Sequence, residues 1–334
     1  MGRVQLTERR PLRALVARAD FPDLDAERRI LAAVGAEVVD GRFAPEAELA
    51  ALCREADAVM TDYFVVGRRL IEAMTRCRVI CQYGVGLDQV DLAAATERGI
   101  VVTHTPTACT DEVADHALAL LLCLWRKIVP LRDAARAGGW DYNLAGTVFR
   151  IRGRVLGLVG LGRIGRGLAA RAAALGFTVV AHDPLITAEE ARALGVEPCD
   201  LATLLARADA VSLHAPLTPA TRHLIGAGEL GLMKPTALLV NTSRGGLVDQ
   251  AALVAALERG QLAGAALDVL EREPPGPDEP LLRRPDVIVT PHAAFYSRES
   301  LAAVQTEAAE AVAAVLVGRR PRIVANPAVL ERPA

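Results

Sequence analysis

The stretch Val155-Leu156-Gly157-Leu158-Val159-Gly160-Leu161-Gly162-Arg163-Ile164-Gly165 decides the reading of this chain. A short apolar run bounded by glycine predicts a buried strand, and the residues after it have helical spacing to about Leu175. Between them stands G-x-G-x-x-G. In this context Gly160 permits the tight turn, Gly162 lets backbone approach a pyrophosphate, and Gly165 lets helix and strand pack closely. The helix start offers free N–H groups and a positive dipole end to phosphates, with Arg163 as added charge and Ile164 in the same turn. The next strand, Thr178–Ala181, leads to Asp183, 18 residues past the third glycine. A ribose 2′-hydroxyl acceptor belongs there, and its charge repels a 2′-phosphate, which predicts NAD over NADP.

Strand and helix alternate on both sides of this unit. Strands are predicted at Leu12–Ala17, 37–39, 58–60, 79–81 and 99–102, then at 210–213, 237–240, 264–268 and 287–289. Helices are predicted over 26–34, 45–56, 110–126 and 300–316. Such repeated units imply parallel sheets covered on both faces. The expected fold is α/β, with two Rossmann-like or flavodoxin-like lobes and a cleft between them. Residues 106–296 are read as the dinucleotide-binding lobe, and residues 1–105 with 297–334 as a discontinuous substrate lobe.

Composition removes other classes. Of 334 residues, 52% are hydrophobic and 23% charged, which is globular. A formal charge of −2 and 4% aromatics offer nucleic acid neither a basic footprint nor stacking platforms. The greasiest run, Ala117–Trp125, is too short for a membrane span, which needs about 20 residues. The segment Met1–Glu8 lacks the apolar core of a secretory leader, so a cytoplasmic protein is expected. The six cysteines form no C-x-x-C pair and are read as reduced thiols. The histidines show no metal spacing, and no metal is assigned. Lys127 and Lys234 are the only lysines; with abundant arginine and alanine this suggests a GC-rich, bacterial source.

Three further segments fall at predicted strand ends: Asn241-Thr242-Ser243-Arg244-Gly245-Gly246, Asp268-Val269-Leu270-Glu271-Arg272-Glu273-Pro274 and Thr290-Pro291-His292-Ala293-Ala294. Ligands of open parallel sheets bind outside the carboxyl ends of strands. Reduction of a 2-oxo acid needs a hydride and a proton. An imidazole such as His292 can supply the proton near neutral pH. A hydrogen-bonded Glu273 would favour the imidazolium. Arg244 can hold a carboxylate through its planar fork. Asp268 can accept from a nicotinamide carboxamide.

These motifs, in this order, resemble the D-isomer-specific 2-hydroxyacid dehydrogenase family. The likeness covers nearly the whole chain, including Tyr83-Gly84-Val85-Gly86-Leu87-Asp88. It implies Arg244, Glu273 and His292 as the catalytic three and Asp268 as a nicotinamide contact. It places His214-Ala215-Pro216 and Thr221 near the adenine, and Thr242, Ser243 and Ala294 along the cofactor. Val85 and Gly86 would offer N–H groups to the substrate carboxylate. A homodimer formed through the cofactor domain is implied. The tail His292–Ser297 is most similar to the C-terminal binding proteins, dehydrogenase-like corepressors with tryptophan at the position of Phe295, so an NAD(H)-sensing interaction protein is the alternative. Gln82 stands where many members place arginine, and the loop 60–66 carries Asp62 and no cation. A phosphorylated substrate is therefore disfavoured. Tyr63, Phe64 and Phe295 suggest an apolar-lined pocket, in which Asp62 could meet a hydroxyl or amino group.

Overall fold

In a computed structural model, residues 10–331 are described; the segment Met1–Glu8 lies outside them. The chain divides into two compact units, Met1–Cys109 with Ser297–Ala334, and Thr110–Tyr296.

The first unit runs β1 (Leu12–Ala17), α1 (Asp25–Ala32), β2 (Ala36–Gly41), α2 (Glu46–Glu55), β3 (Ala58–Thr61), α3 (Arg68–Ala73), β4 (Val79–Gln82), α4 (Leu92–Glu97) and β5 (Val101–His104). Its sheet is wholly parallel, in the order β2-β1-β3-β4-β5. Alternation along β1 sends Ala14 and Val16 to one face, under the C-terminal helix Arg298–Leu316, and Leu15 and Ala17 to the other, over α2 and α3. Phe64 belongs to that second core. It is buried among aliphatic side chains, so the expected pocket lining loses this ring.

The boundary falls at Cys109/Thr110, not at 105/106. Residues 105–107 are still tied to the first unit: the Thr105 amide donates to the Gly84 carbonyl (3.0 Å), and the Thr107 hydroxyl to Glu307 (2.9 Å).

The second unit contains α5 (Thr110–Trp125), α6 (Ile128–Arg136), β6 (Val155–Val159), α7 (Arg163–Ala174), β7 (Thr178–His182), α8 (Ala188–Ala193), β8 (Glu197–Pro198), α9 (Leu201–Arg207), β9 (Ala210–Leu213), α10 (Ala227–Leu232), β10 (Leu238–Asn241), α11 (Gln250–Glu258), β11 (Gly264–Leu267) and β12 (Val287–Val289). These seven strands form a parallel sheet ordered β12-β11-β10-β9-β6-β7-β8. Leu156 and Leu158 pack under α5 and α7, and Val159, Val211 and Leu239 pack on the opposite face. Both faces are covered, which is why the strands read as continuous apolar runs. Chain order reverses between β6 and β9, and that is where a doubly wound sheet opens its ligand crevice. Among the described residues no helix is long and apolar enough to cross a membrane.

Candidate active site

The glycine turn follows β6 at this switch point. Gly160 has φ +99°, and a Cβ there would stand 2.7–2.8 Å from the His214 and Ala215 backbone after β9. Gly165 is pressed against the Gly160 carbonyl, whereas a Cβ on Gly162 would meet nothing within 4 Å. Gly162 is the N-cap of α7 with no side-chain cap, and Arg163 and Ile164 open the helix, so its first N–H groups face that open space. Asp183 closes the turn: its carboxylate accepts from the Leu161 amide at 2.7 Å and the Leu185 amide at 2.9 Å.

Two loops are stitched together beside this turn. Ser243 Oγ donates to the Ala215 carbonyl (2.7 Å). Thr221 Oγ1 donates to the Pro216 carbonyl (2.6 Å) and holds that loop closed. His214 Nε2 meets Ser212 Oγ at 2.9 Å, and burial pushes its imidazole down to about 4, keeping it neutral. Buried Asn241, which the sequence reading passed over, braces the next turn. It accepts from the Ser243 amide and donates to the Arg244 carbonyl. Thr242 Oγ1 is buried without a protein partner.

The catalytic candidates sit on the neighbouring strand ends. His292 Nδ1 and Glu273 Oε2 are 2.6 Å apart, and Glu273 Oε1 accepts from the Leu270 amide at 2.8 Å. Burial pushes the Glu273 carboxyl up, but the hydrogen bond and charge of His292, the Leu270 amide and nearby Arg244 outweigh it and hold it below the usual carboxylate range. With Nδ1 directed at a carboxylate, Nε2 is the nitrogen left for chemistry. Gly245 lets the Arg244 turn lie directly on the Leu270–Glu271 backbone, where no Cβ could fit. Asp268 is 2% exposed. It accepts from the Ala293 amide at 2.9 Å, the Ala294 amide at 2.8 Å and Thr290 Oγ1 at 2.5 Å. Phe295 packs edge-to-face on Tyr296.

The remaining candidates lie in the first unit, on its own strand ends. Gln82 Nε2 donates to the Asp62 carbonyl at 2.8 Å, joining the ends of β3 and β4. Tyr63 is about half exposed. The loop of Val85 and Gly86 is braced from β5, where Thr105 Oγ1 accepts from the Gly84 amide (2.7 Å) and His104 Nδ1 meets the Val85 carbonyl (2.9 Å). Their only signal in the sequence is a position at or just past the end of a strand.

A dinucleotide suits the second unit: an open glycine turn at an uncapped helix start, an acid that accepts from the turn's Leu161 amide, and an orphan hydroxyl at Thr242 all stand at neighbouring strand ends of the sheet. Comparison with known proteins agrees. Residues 118–294 match the family described as D-isomer specific 2-hydroxyacid dehydrogenase, NAD binding domain. The chain belongs to the D-isomer-specific 2-hydroxyacid dehydrogenases. It is 41% identical over 282 residues to a glyoxylate reductase of Korarchaeum cryptofilum, covering 84% of each. It is 40% identical over 300 residues to a D-3-phosphoglycerate dehydrogenase of Methanocaldococcus jannaschii, covering 89% of this chain but 57% of that one. The crystal structure of TT0316 protein from Thermus thermophilus superposes with a TM-score of 0.85 at 41% identity, covering 94% of this chain and all of that one. Membership makes the protein an oxidoreductase of CH–OH donors that uses a nicotinamide dinucleotide.

Proposed function

We propose that the protein is an NADH-dependent reductase of small, unphosphorylated 2-oxo acids, equivalently a D-2-hydroxyacid dehydrogenase, with His292 as acid/base. The carrying observation is the His292–Glu273 pair beside Arg244 on adjacent strand ends. A bound nicotinamide would supply the hydride for C2. His292 Nε2 delivers the proton to the carbonyl oxygen, giving the hydroxyl, and takes it back in the reverse direction. Glu273 fixes the ring through Nδ1. Arg244 holds the substrate carboxylate through its planar fork. Asp268 would accept from the carboxamide through the lone pair left on Oδ2. Asp183, already oriented by two amides, would accept from the ribose and disfavour NADPH.

The substrate reading rests on Asp62 and Gln82 in place of cations, and on the glyoxylate reductase relative. A homodimer is part of the proposal: Ile128, Trp140, Tyr142, Leu144 and Phe149 are exposed large apolar side chains of the second unit, and Trp140 is 94% exposed. Its free cysteines suit a reducing cytoplasm. NADH oxidation at 340 nm across glyoxylate, pyruvate, branched, thioether, aromatic and phosphorylated 2-oxo acids, with NADPH in parallel, tests the activity. A preference for a phosphorylated acid or for NADPH would refute the respective part. Light scattering of wild type and Trp140→Glu tests the dimer. The His292–Ser297 tail favours a second reading, an NAD(H)-sensing partner of the corepressor kind. NADH binding with no turnover on any acid would select it.

A further inference from the structure

His116 lies on the core-facing side of α5, near Val113, Ala117 and Leu120 in the helical repeat. Its Nε2 is 3.0 Å from Thr290 Oγ1 and 3.5 Å from Asp268 Oδ1. The surroundings fix the direction of these bonds. Asp268 receives the Ala293 and Ala294 amides, so its carboxylate acts as acceptor. The single hydroxyl hydrogen of Thr290 therefore goes to Asp268, at 2.5 Å. The Thr290 oxygen can then only accept from His116, which must carry its proton on Nε2.

The end of this chain of bonds is the backbone of His292. That residue has φ +52°, a left-handed conformation that a non-glycine residue holds only when its surroundings impose it. Here the His292 amide donates to the Asp268 carbonyl (2.8 Å), and the next two amides donate to the Asp268 carboxylate. Asp268 thus grips the loop at three successive residues, and Thr290 and His116 orient Asp268 from the other side.

We propose that His116 and Thr290 are positioning residues that act through Asp268 to hold His292 where its imidazole meets Glu273. The catalytic consequence rests on the reading of His292 given above; the positioning itself does not. Loss of the donor in His116→Leu, or of the hydroxyl in Thr290→Val, lowers kcat about 10- to 100-fold, the weight of one hydrogen bond to a charged group. The KM for the 2-oxo acid and the Kd for NADH, read by fluorescence, stay within about threefold. His116→Gln and Thr290→Ser, which keep a donor and a hydroxyl, recover most of the kcat. Wild-type kcat in the Leu and Val variants, or equal damage by Gln and Leu, would overturn the proposal.

Spectra of the protein carrying 15N-labelled histidine supply a readout independent of turnover. His116 is expected as the Nε2–H tautomer, and the His292 Nδ1–H resonance of the short Glu273 bond is expected to shift in Thr290→Val. An Nδ1–H tautomer for His116, or an unmoved His292 resonance, would overturn the proposal even in a protein with no turnover. The same spectra as expected, from a wild type inactive on every acid, would leave the positioning standing and remove the proposed activity instead.

Discussion

Replacing Glu273 by Gln removes the charge but keeps the shape of the group facing His292. Unit charges about 4 Å apart interact by about 4 kcal/mol at an effective dielectric of about 20. Both side chains are more than a third exposed, at 39% and 35%, so solvent screening applies. Discounted toward the range of solvent-accessible pairs, about 1 kcal/mol remains, or roughly fivefold in a rate. The sign follows from the proposed mechanism. There the ring passes a proton to the substrate, and the Glu273 carboxylate, held charged below the usual carboxylate range, steadies the ring that carries it. Glu273→Gln is therefore expected to lower kcat for 2-oxo acid reduction about fivefold, and Glu273→Ala, which also loses the hydrogen bond, to lower it further. The assay is NADH oxidation at saturating substrate, with NADH binding measured alongside. Wild-type kcat in Glu273→Gln would refute the electrostatic role. Wild-type kcat in Glu273→Gln with a loss in Glu273→Ala would mean that Glu273 only orients the ring.

Three further perturbations follow. Glu27 is fully buried, and its carboxyl is raised above the usual range, chiefly by burial, despite hydrogen bonds from Tyr83 and Gln305. A raised carboxylate costs stability as pH climbs from its unfolded toward its folded value, so Glu27→Gln gains on wild type over that window, as urea denaturation at pH 4, 6 and 8 would register. Gly245→Ala forces a methyl into the Leu270–Glu271 backbone; it costs at least the 1–3 kcal/mol typical of overpacking, and kcat/KM falls more than 100-fold because Arg244 and Glu273 separate. In the proposed cofactor site Asp183→Ser removes the charge that a 2′-phosphate would meet, so the ratio of kcat/KM for NADPH to that for NADH is expected to rise about tenfold or more, with weaker NADH binding from the lost Leu161 and Leu185 bonds.

Several elements were legible because one local signal controlled them. The strands β1, β6, β9 and β12 occupy the residues that read as buried apolar runs, since a strand covered on both faces must be apolar throughout. Helices α8, α9 and α10, of six or seven residues, are too short to display a period, and β8 is a two-residue edge. The sequence places α5 to Arg126, and the chain turns at Lys127, where φ is +54°; nothing in the residue type announces that bend. Phe64 read as a pocket residue because an aromatic in a loop looks available, yet it folds back among Leu15, Ile71 and Val90.

The same division runs through the site. Arg244, Glu273 and His292 could be named because each stands just beyond a strand, and parallel strands deliver their ends to one edge. Their supports could not. Asn241 looks like the last residue of a strand, Thr290 like the first residue of a loop, and His116 like an interruption in an apolar helix stripe. Each acquires its role only from partners 2 to 174 positions away: Ser243 and Arg244 for Asn241, and Thr290 for His116. A residue that reacts is constrained by chemistry, which narrows its type. A residue that positions it needs only a donor or acceptor at the right place, which many types can provide. Support residues are therefore found from bond direction in the folded chain, as at Asp268, where three donors on one carboxylate leave a single arrangement for Thr290 and His116.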